Sequence, residues 1–265
     1  MYAFEYFRPT TLAEAAQLLA SNPEAKLLAG GQTYIPTLKQ RLAKPSAVID
    51  LGRIAELRGI HEEAGGLTIG AMTRHAEVAS SPLVKRVIPA LAALAEGIGD
   101  PQVRNRGTLG GSIANNDPAA DYPAAVLGLG ATVRTSKGRA IAADDFFTGM
   151  FETALEPDEI VTAVYFPKPE KAAYAKFPNP ASRYAIVGVF VAKTASGVRV
   201  AVTGAAPCVF RATAIEQALE QVWSEASIDG VTIDPTNLNS DIHAQADYRA
   251  HLVKVMAKRA LRAAG

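Results

Sequence analysis

An α+β fold in more than one unit is predicted for this chain of 265 residues by three observations. Apolar residues recur at one-face helical spacing near both ends. Runs rich in β-branched residues are interspersed with them. Pro167-Lys-Pro-Glu-Lys171 then interrupts the pattern, as a boundary between units does.

The elements follow in order. Thr11 and Glu14 have the spacing of a capping box, and Leu12, Ala15, Ala16 and Leu19 share one helical face behind it. Asn22-Pro23 ends that helix. Residues 26–29 read as a strand running into a Gly30-Gly31 bend. Gln32 and Thr33 then open a short helical turn before Leu38 and Leu42, and residues 46–51 form another strand. A second unit starts near Arg53. Residues 59–61 and 67–71 form a hairpin turned by Glu62-Glu-Ala-Gly-Gly66, and Thr73 is placed to cap a short helix. Pro82 and Pro89 bracket a helical stretch with Leu91, Leu94 and Ile98 on its apolar side. Residues 123–129 are apolar and buried, and 131–135 and 159–166 are strands. Beyond Lys171, residues 184–193 and 198–205 pair as a hairpin through Ser196-Gly197. Two helices close the chain, one with Ile215, Ala218, Leu219 and Val222 inward. The other turns Tyr248, Leu252, Val255 and Met256 inward and Lys254, Lys258 and Arg259 outward. They cover one face of the last sheet. Three units result: 1–52, 53–170 and 171–265.

Composition excludes several functions. Charged residues make up 20 % with a net charge of +1, and no Lys/Arg run suggests a nucleic-acid stripe. The first ten residues lack the basic and apolar regions of a signal peptide, and no apolar stretch reaches the ~18–20 residues that span a bilayer. The expected location is cytoplasmic. Cys208 is the only cysteine, so the chain by itself holds no disulfide, iron–sulfur cluster or thiolate zinc site. His61, His75, His243 and His251 are scattered and form no metal-ligand pair, so no metal site is expected. A Gly-x-Ser-x-Gly elbow, a Walker loop and a complete Gly-x-Gly-x-x-Gly are all absent.

Two glycine clusters carry the chemistry. In Gly99-Asp-Pro-Gln-Val-Arg-Asn-Arg-Gly-Thr-Leu-Gly-Gly-Ser112, three glycines remove side chains while Thr108 and Ser112 add hydroxyls. Asn115, Asn116, Asp117 and Asp121 follow. In Ala29-Gly-Gly-Gln-Thr33, a sharp bend points successive N–H groups into one concavity, a nest for phosphate. Each cluster alone also reads as a plain turn. Together they favour one large phosphorylated cofactor held by two loops.

The spacing of Ala29-Gly-Gly-Gln-Thr33, Gly99–Gly111 and Asp117-Pro-Ala-Ala-Asp121 resembles the FAD-binding medium subunits of the molybdenum hydroxylases, the family of xanthine dehydrogenase and carbon monoxide dehydrogenase. Phe7-Arg-Pro9, Leu67-Thr-Ile-Gly-Ala71 and the run from Ser240 to Leu252 extend the resemblance over nearly the whole chain. It implies a two-subdomain FAD-binding domain of the vanillyl-alcohol-oxidase type followed by an α+β C-terminal domain. Ala29, Gly30, Gly31, Gln32 and Thr33 would meet the FAD diphosphate. Thr108, Leu109, Gly110, Gly111 and Ser112 would form the facing loop. Asp121 would accept from ribityl hydroxyls, Tyr184 would lie by the isoalloxazine, and Lys176 near the flavin edge. The bland readings make Tyr184 strand core and Lys176 a solvated charge.

The family further implies a large molybdopterin-binding subunit, a small [2Fe–2S] subunit, an assembly that is a dimer of heterotrimers, and an acceptor that is NAD, a quinone or oxygen. No catalytic acid, base or nucleophile is expected of this chain, because the chemistry belongs to the flavin. Gln32 stands where the carbon monoxide branch often has histidine, and the lone Cys208 excludes the cluster-bearing insertion of the hydroxybenzoyl-CoA reductase branch. A self-sufficient vanillyl-alcohol-oxidase-type oxidase and a cofactor-free assembly scaffold are the competing readings.

Overall fold

Three of the four sheets in the computed structural model, which describes residues 1–265, each carry an apolar cluster, the fourth being the two-stranded Phe147–Gly149 and Glu152–Thr153 pair. The first is parallel, with Ala47–Asp50 between Glu5–Phe7 and Lys26–Leu28. The Leu12–Ser21 helix is tied off at its start by Thr11, whose hydroxyl accepts from the Glu14 N–H at 3.2 Å. The Glu14 carboxylate reaches back to the Thr10 N–H at 2.9 Å, one residue before the position a capping box would use. Gly31, at φ +75°, turns the chain from the Lys26–Leu28 strand into the Tyr34–Lys39 helix. Leu38 is buried there while Leu42 is exposed.

The second sheet is antiparallel, in the order Ile60–Glu63, Gly66–Gly70, Val161–Pro167, Thr132–Thr135, Ala140–Ala142. Its central strand is the segment with the strongest β-branched run in this part of the chain. The short helices His75–Ser80, Pro82–Val87, Pro89–Glu96, Leu109–Asn115 and Tyr122–Gly128 belong to the same unit. Thr73 does not cap the first of these. Its hydroxyl is bonded to the Gly59 N–H and carbonyl, both at 3.1 Å, so the chain is still tied to the hairpin at that point. The helix starts one residue later, with the Arg74 N–H donating to Glu77 at 2.8 Å.

The third sheet runs Lys171–Pro178, Ala185–Thr194, Gly197–Thr203, Phe210–Arg211, all antiparallel. The first of these strands lies outside the sequence expectation. Its alanines give little β signal, and full-length pairing with Ala185–Thr194 determines it.

The sheet is also covered on both faces rather than one. Val187, Val189 and Val191 pack into the cluster that holds the Ala246–Ala264 helix, while Phe190 and Ala192 belong to the cluster of the second unit. The Tyr122–Gly128 helix lies on this second face, and a Cβ on Gly128 would come within 2.8 Å of Phe190. An uninterrupted apolar strand needs cover on both sides, and the neighbouring unit supplies the second.

In the Ala246–Ala264 helix, Leu252 and Met256 are buried as expected, Val255 only partly, and Tyr248 faces solvent. Arg249 is buried instead, donating to the Ile186 carbonyl at 2.6 Å, the Gly204 carbonyl at 2.9 Å and Asp241 at 2.7 Å. Val222 is exposed because the preceding helix ends at Gln221. No helix is long and apolar enough to cross a membrane.

Candidate functional site

The two glycine clusters meet. A Cβ on Gly30 would lie 2.7 Å from the Gly107 Cα and closer still to the Arg106 carbonyl oxygen, so backbone packs directly on backbone. A Cβ on Gly111 would lie 3.1 Å from that of Ala29. Glycine is required at position 30 by this close approach, and at position 31 by the positive φ.

The bend has a property that only hydrogen-bond accounting reveals. The N–H groups of Gly30, Gly31, Gln32, Thr33 and Tyr34 have no acceptor in the protein. Five successive free donors in one turn form an anion nest. The facing segment differs. Leu109 and Gly110 donate to the Thr73 and Ala71 carbonyls at 3.0 and 2.8 Å, Gly111 to the Thr108 hydroxyl at 3.2 Å, and Ser112 to the Thr108 carbonyl. This segment is the capped start of a helix, and its N–H groups are already bonded within the protein. Gly110 is small because the helix sits on the Ala71 backbone, 2.9 Å from where a Cβ would be.

Between the clusters lies a cavity of about 830 Å³. Ala29, Gly30, Gly31, Gln32, Thr33, Thr108, Gly110, Gly111, Ser112, Asp121 and Tyr184 all line it. Two expected contacts do not. Leu109 is fully buried in the apolar core, because its place on the helix turns it away from the bend. Lys176 lies behind Asp121, its ammonium 3.1 Å from that carboxylate and 2.8 Å from the Gly97 carbonyl. It is neither at the cavity wall nor solvated.

Asp121 also accepts from the Tyr174 hydroxyl at 2.5 Å. Burial pushes the Asp121 carboxyl up, while Lys176 and Tyr174 pull it back. Burial and the Asp121 charge push the Tyr174 phenol well up, so it stays a donor. Tyr184 lines the cavity from the third unit. Burial and the charges of Asp117 and Asp121 raise its phenol.

Three features escaped the sequence reading. On the other side of the bend, Arg8, Arg58, Arg74 and Arg106 surround a smaller cavity of about 160 Å³, with Asp50 the one acid there. Asp50 is already held by Arg8 at 3.2 Å and by Tyr6 at 2.5 Å. These arginines are scattered in sequence, and only the fold gathers them. His75, expected among surface or capping histidines, is buried on the large cavity's wall with its Nδ1 unpartnered. Burial, with the Arg104 charge, lowers its pKa to about 4, which keeps the ring neutral at pH 7. Phe151 lines the same cavity from an exposed turn, and no spacing in the sequence singles it out.

An FAD fits these residues: the free donors match a diphosphate, and the volume lies within the ~300–1,000 Å³ of ligand pockets.

Comparison with known proteins gives the same answer along the whole chain. Residues 2–169 match a family model described as the FAD binding domain in molybdopterin dehydrogenase, and residues 172–264 match the CO dehydrogenase flavoprotein C-terminal domain. The carbon monoxide dehydrogenase medium chain of Hydrogenophaga pseudoflava is 38 % identical, the alignment covering 98 % of this chain and 96 % of that one. The nicotine 6-hydroxylase medium subunit of Paenarthrobacter nicotinovorans is 35 % identical over 99 % and 98 %. Among solved structures, the H. pseudoflava carbon monoxide dehydrogenase lacking the Mo-pyranopterin moiety superposes with a TM-score of 0.90, at 38 % identity and 99 % and 97 % coverage. Quinoline 2-oxidoreductase from Pseudomonas putida 86 gives 0.89 at 32 % identity, over 99 % and 97 %.

Proposed function

We infer the function of this chain from one premise: it belongs to the FAD-binding medium subunits of the molybdenum hydroxylases, and its cofactor is FAD. It is part of an oxidoreductase. On the reading proposed here, the chain is the electron-relay station of a larger assembly. It takes electrons from the [2Fe–2S] clusters of a small subunit, which a large molybdopterin-binding subunit reduces, and passes them to NAD, a quinone or oxygen. The assembly is a dimer of heterotrimers in the cytoplasm. The cluster ligands belong to another chain, since Cys208 is the only cysteine here. Units 1–52 and 53–170 hold the cofactor between them, and 171–265 closes the site.

Bound FAD supplies one- and two-electron exchange. The residues of this chain hold and orient it. The free N–H groups from Gly30 to Tyr34 would donate to the diphosphate, and the positive field of Arg8, Arg58, Arg74 and Arg106 behind the bend would favour that charge. Asp121, fixed by Tyr174 and Lys176, keeps lone pairs for ribityl hydroxyls. Tyr184, which lines the cavity, would cover the isoalloxazine and limit water access to it. No residue need act as an acid, base or nucleophile.

The observation that carries this reading is the run of five unpartnered donors where the two glycine clusters touch. The test is to purify the full chain, mix it with FAD and remove excess by gel filtration. One flavin per chain, released into the supernatant by acid, is expected. A folded chain that takes up no FAD overturns the reading, and flavin retained in the acid pellet supports the covalent oxidase alternative instead.

A further inference from the structure

Phe151 is out of place in two independent ways. It is the second residue of the two-residue turn Met150-Phe151 between the strands Phe147–Gly149 and Glu152–Thr153, with φ +57°. At such a position glycine or asparagine is the ordinary occupant, because a side chain there crowds the backbone. The residue is also 55 % exposed, yet it lines the large cavity.

A strained residue persists where its surroundings over-determine it, and such positions cluster at ligand clamps. Here Asn116 does the holding. It is buried and itself left-handed at φ 43°. Its side-chain amide donates to the Gly149 and Glu152 carbonyls, both at 2.8 Å, and its carbonyl accepts from the Phe151 N–H at 3.2 Å. Asn116 ends the helix whose first turn walls the glycine bend. One rigid element therefore fixes Phe151 relative to the diphosphate nest, at roughly 10 Å along the helix axis.

The same cavity is lined by Leu27, Leu51 and Ile160, which pack together in the apolar cluster of the first unit. Phe151 lines the same cavity, so its ring is available to a flat heterocycle bound there. Tyr184 is held elsewhere: its neighbour Arg183 donates to the Gly99 carbonyl at 3.1 Å. Two aromatic residues thus serve a ligand with two ring systems and a charged middle.

We propose that Phe151 is the positioning residue for the adenine ring of the cofactor, stacking on it and selecting FAD over FMN; this rests on the FAD reading above. The strained turn is retained because it delivers the ring to that place.

The test uses the full chain freed of flavin, with FAD, FMN and ADP as separate probes in fluorescence or calorimetric titrations. Phe151→Ala is expected to weaken FAD and ADP about ten- to hundredfold, the usual loss of one base–aromatic stack, and to leave FMN unchanged. Phe151→Trp is expected to retain FAD binding. Phe151→Gly relieves the backbone, so it should melt no lower than wild type while losing FAD and ADP affinity as alanine does. Unchanged FAD affinity in Phe151→Ala and Phe151→Gly, or an equal fall for FAD and FMN, overturns the proposal. A folded wild-type chain that binds no FAD overturns the cofactor reading itself, which is a separate result.

Discussion

Replacing Gly30 with alanine tests the contact on which the site is built. The added Cβ would lie 2.7 Å from the Gly107 Cα and nearer to the Arg106 carbonyl, whereas ordinary contact begins at 3.4 Å. Both obstacles are backbone, so no side chain can rotate away, and the two loops must part by about 1 Å. Overpacking of this kind costs about 1–3 kcal/mol of stability. It also moves the donors of the bend relative to the opposite wall. A shift of about 1 Å takes a 2.9 Å hydrogen bond out of range, and each charge-assisted bond to phosphate contributes about 1.5–3 kcal/mol. FAD affinity should therefore fall at least about tenfold. The assay is a flavin titration beside a urea unfolding curve. Gly230→Ala serves as control, because a Cβ there meets nothing within 4 Å. If Gly30→Ala binds FAD as tightly as the control and unfolds at the same midpoint, the loops are not in backbone contact and the site is wrongly built.

Two further outcomes follow from buried polar groups. His75, at about 4 in the fold against an ordinary 6.5, is buried neutral. The unfolded chain takes up its proton first as pH falls, so stability contributed by the neutral ring is full above pH 6.5 and lost down to about pH 4, by roughly 3 kcal/mol. His75→Gln should flatten the pH dependence of the urea midpoint in that window, and an unchanged slope would refute the assignment. Arg249→Met should lower stability by about 3–5 kcal/mol, since the Ile186 and Gly204 carbonyls and Asp241 lose their shared donor. A midpoint within error of wild type would show that the buried guanidinium is not what ties the last helix to the sheet.

The elements with strong local chemistry were legible from the residues. Thr11 and Glu14 mark the first helix, the β-branched run ending at Phe166 marks the central strand of the second sheet, and Ser196-Gly197 marks a hairpin. The missed strand Lys171–Pro178 is rich in alanine, and partner pairing decides it. The displaced cap at Thr73 has the same origin. A hydroxyl that satisfies a helix end satisfies a hairpin carbonyl equally well, and the tertiary contact with Gly59 won.

By itself, the sequence determined that two glycine clusters exist and that their spacing suits a phosphorylated cofactor, because glycine and hydroxyl content act locally. Only the tertiary structure decided which cluster keeps its N–H groups free. That depends on where each donor's acceptor sits: the Leu109–Ser112 donors are used by Ala71, Thr73 and Thr108, while those from Gly30 to Tyr34 find none. Folding also placed Lys176 behind Asp121, brought four distant arginines behind one bend and set Phe151 over the cavity. These are relations between residues far apart in the chain. They are fixed by how apolar faces pack, as with the third sheet borrowing its second cover from the neighbouring unit, and no spacing within a segment encodes them.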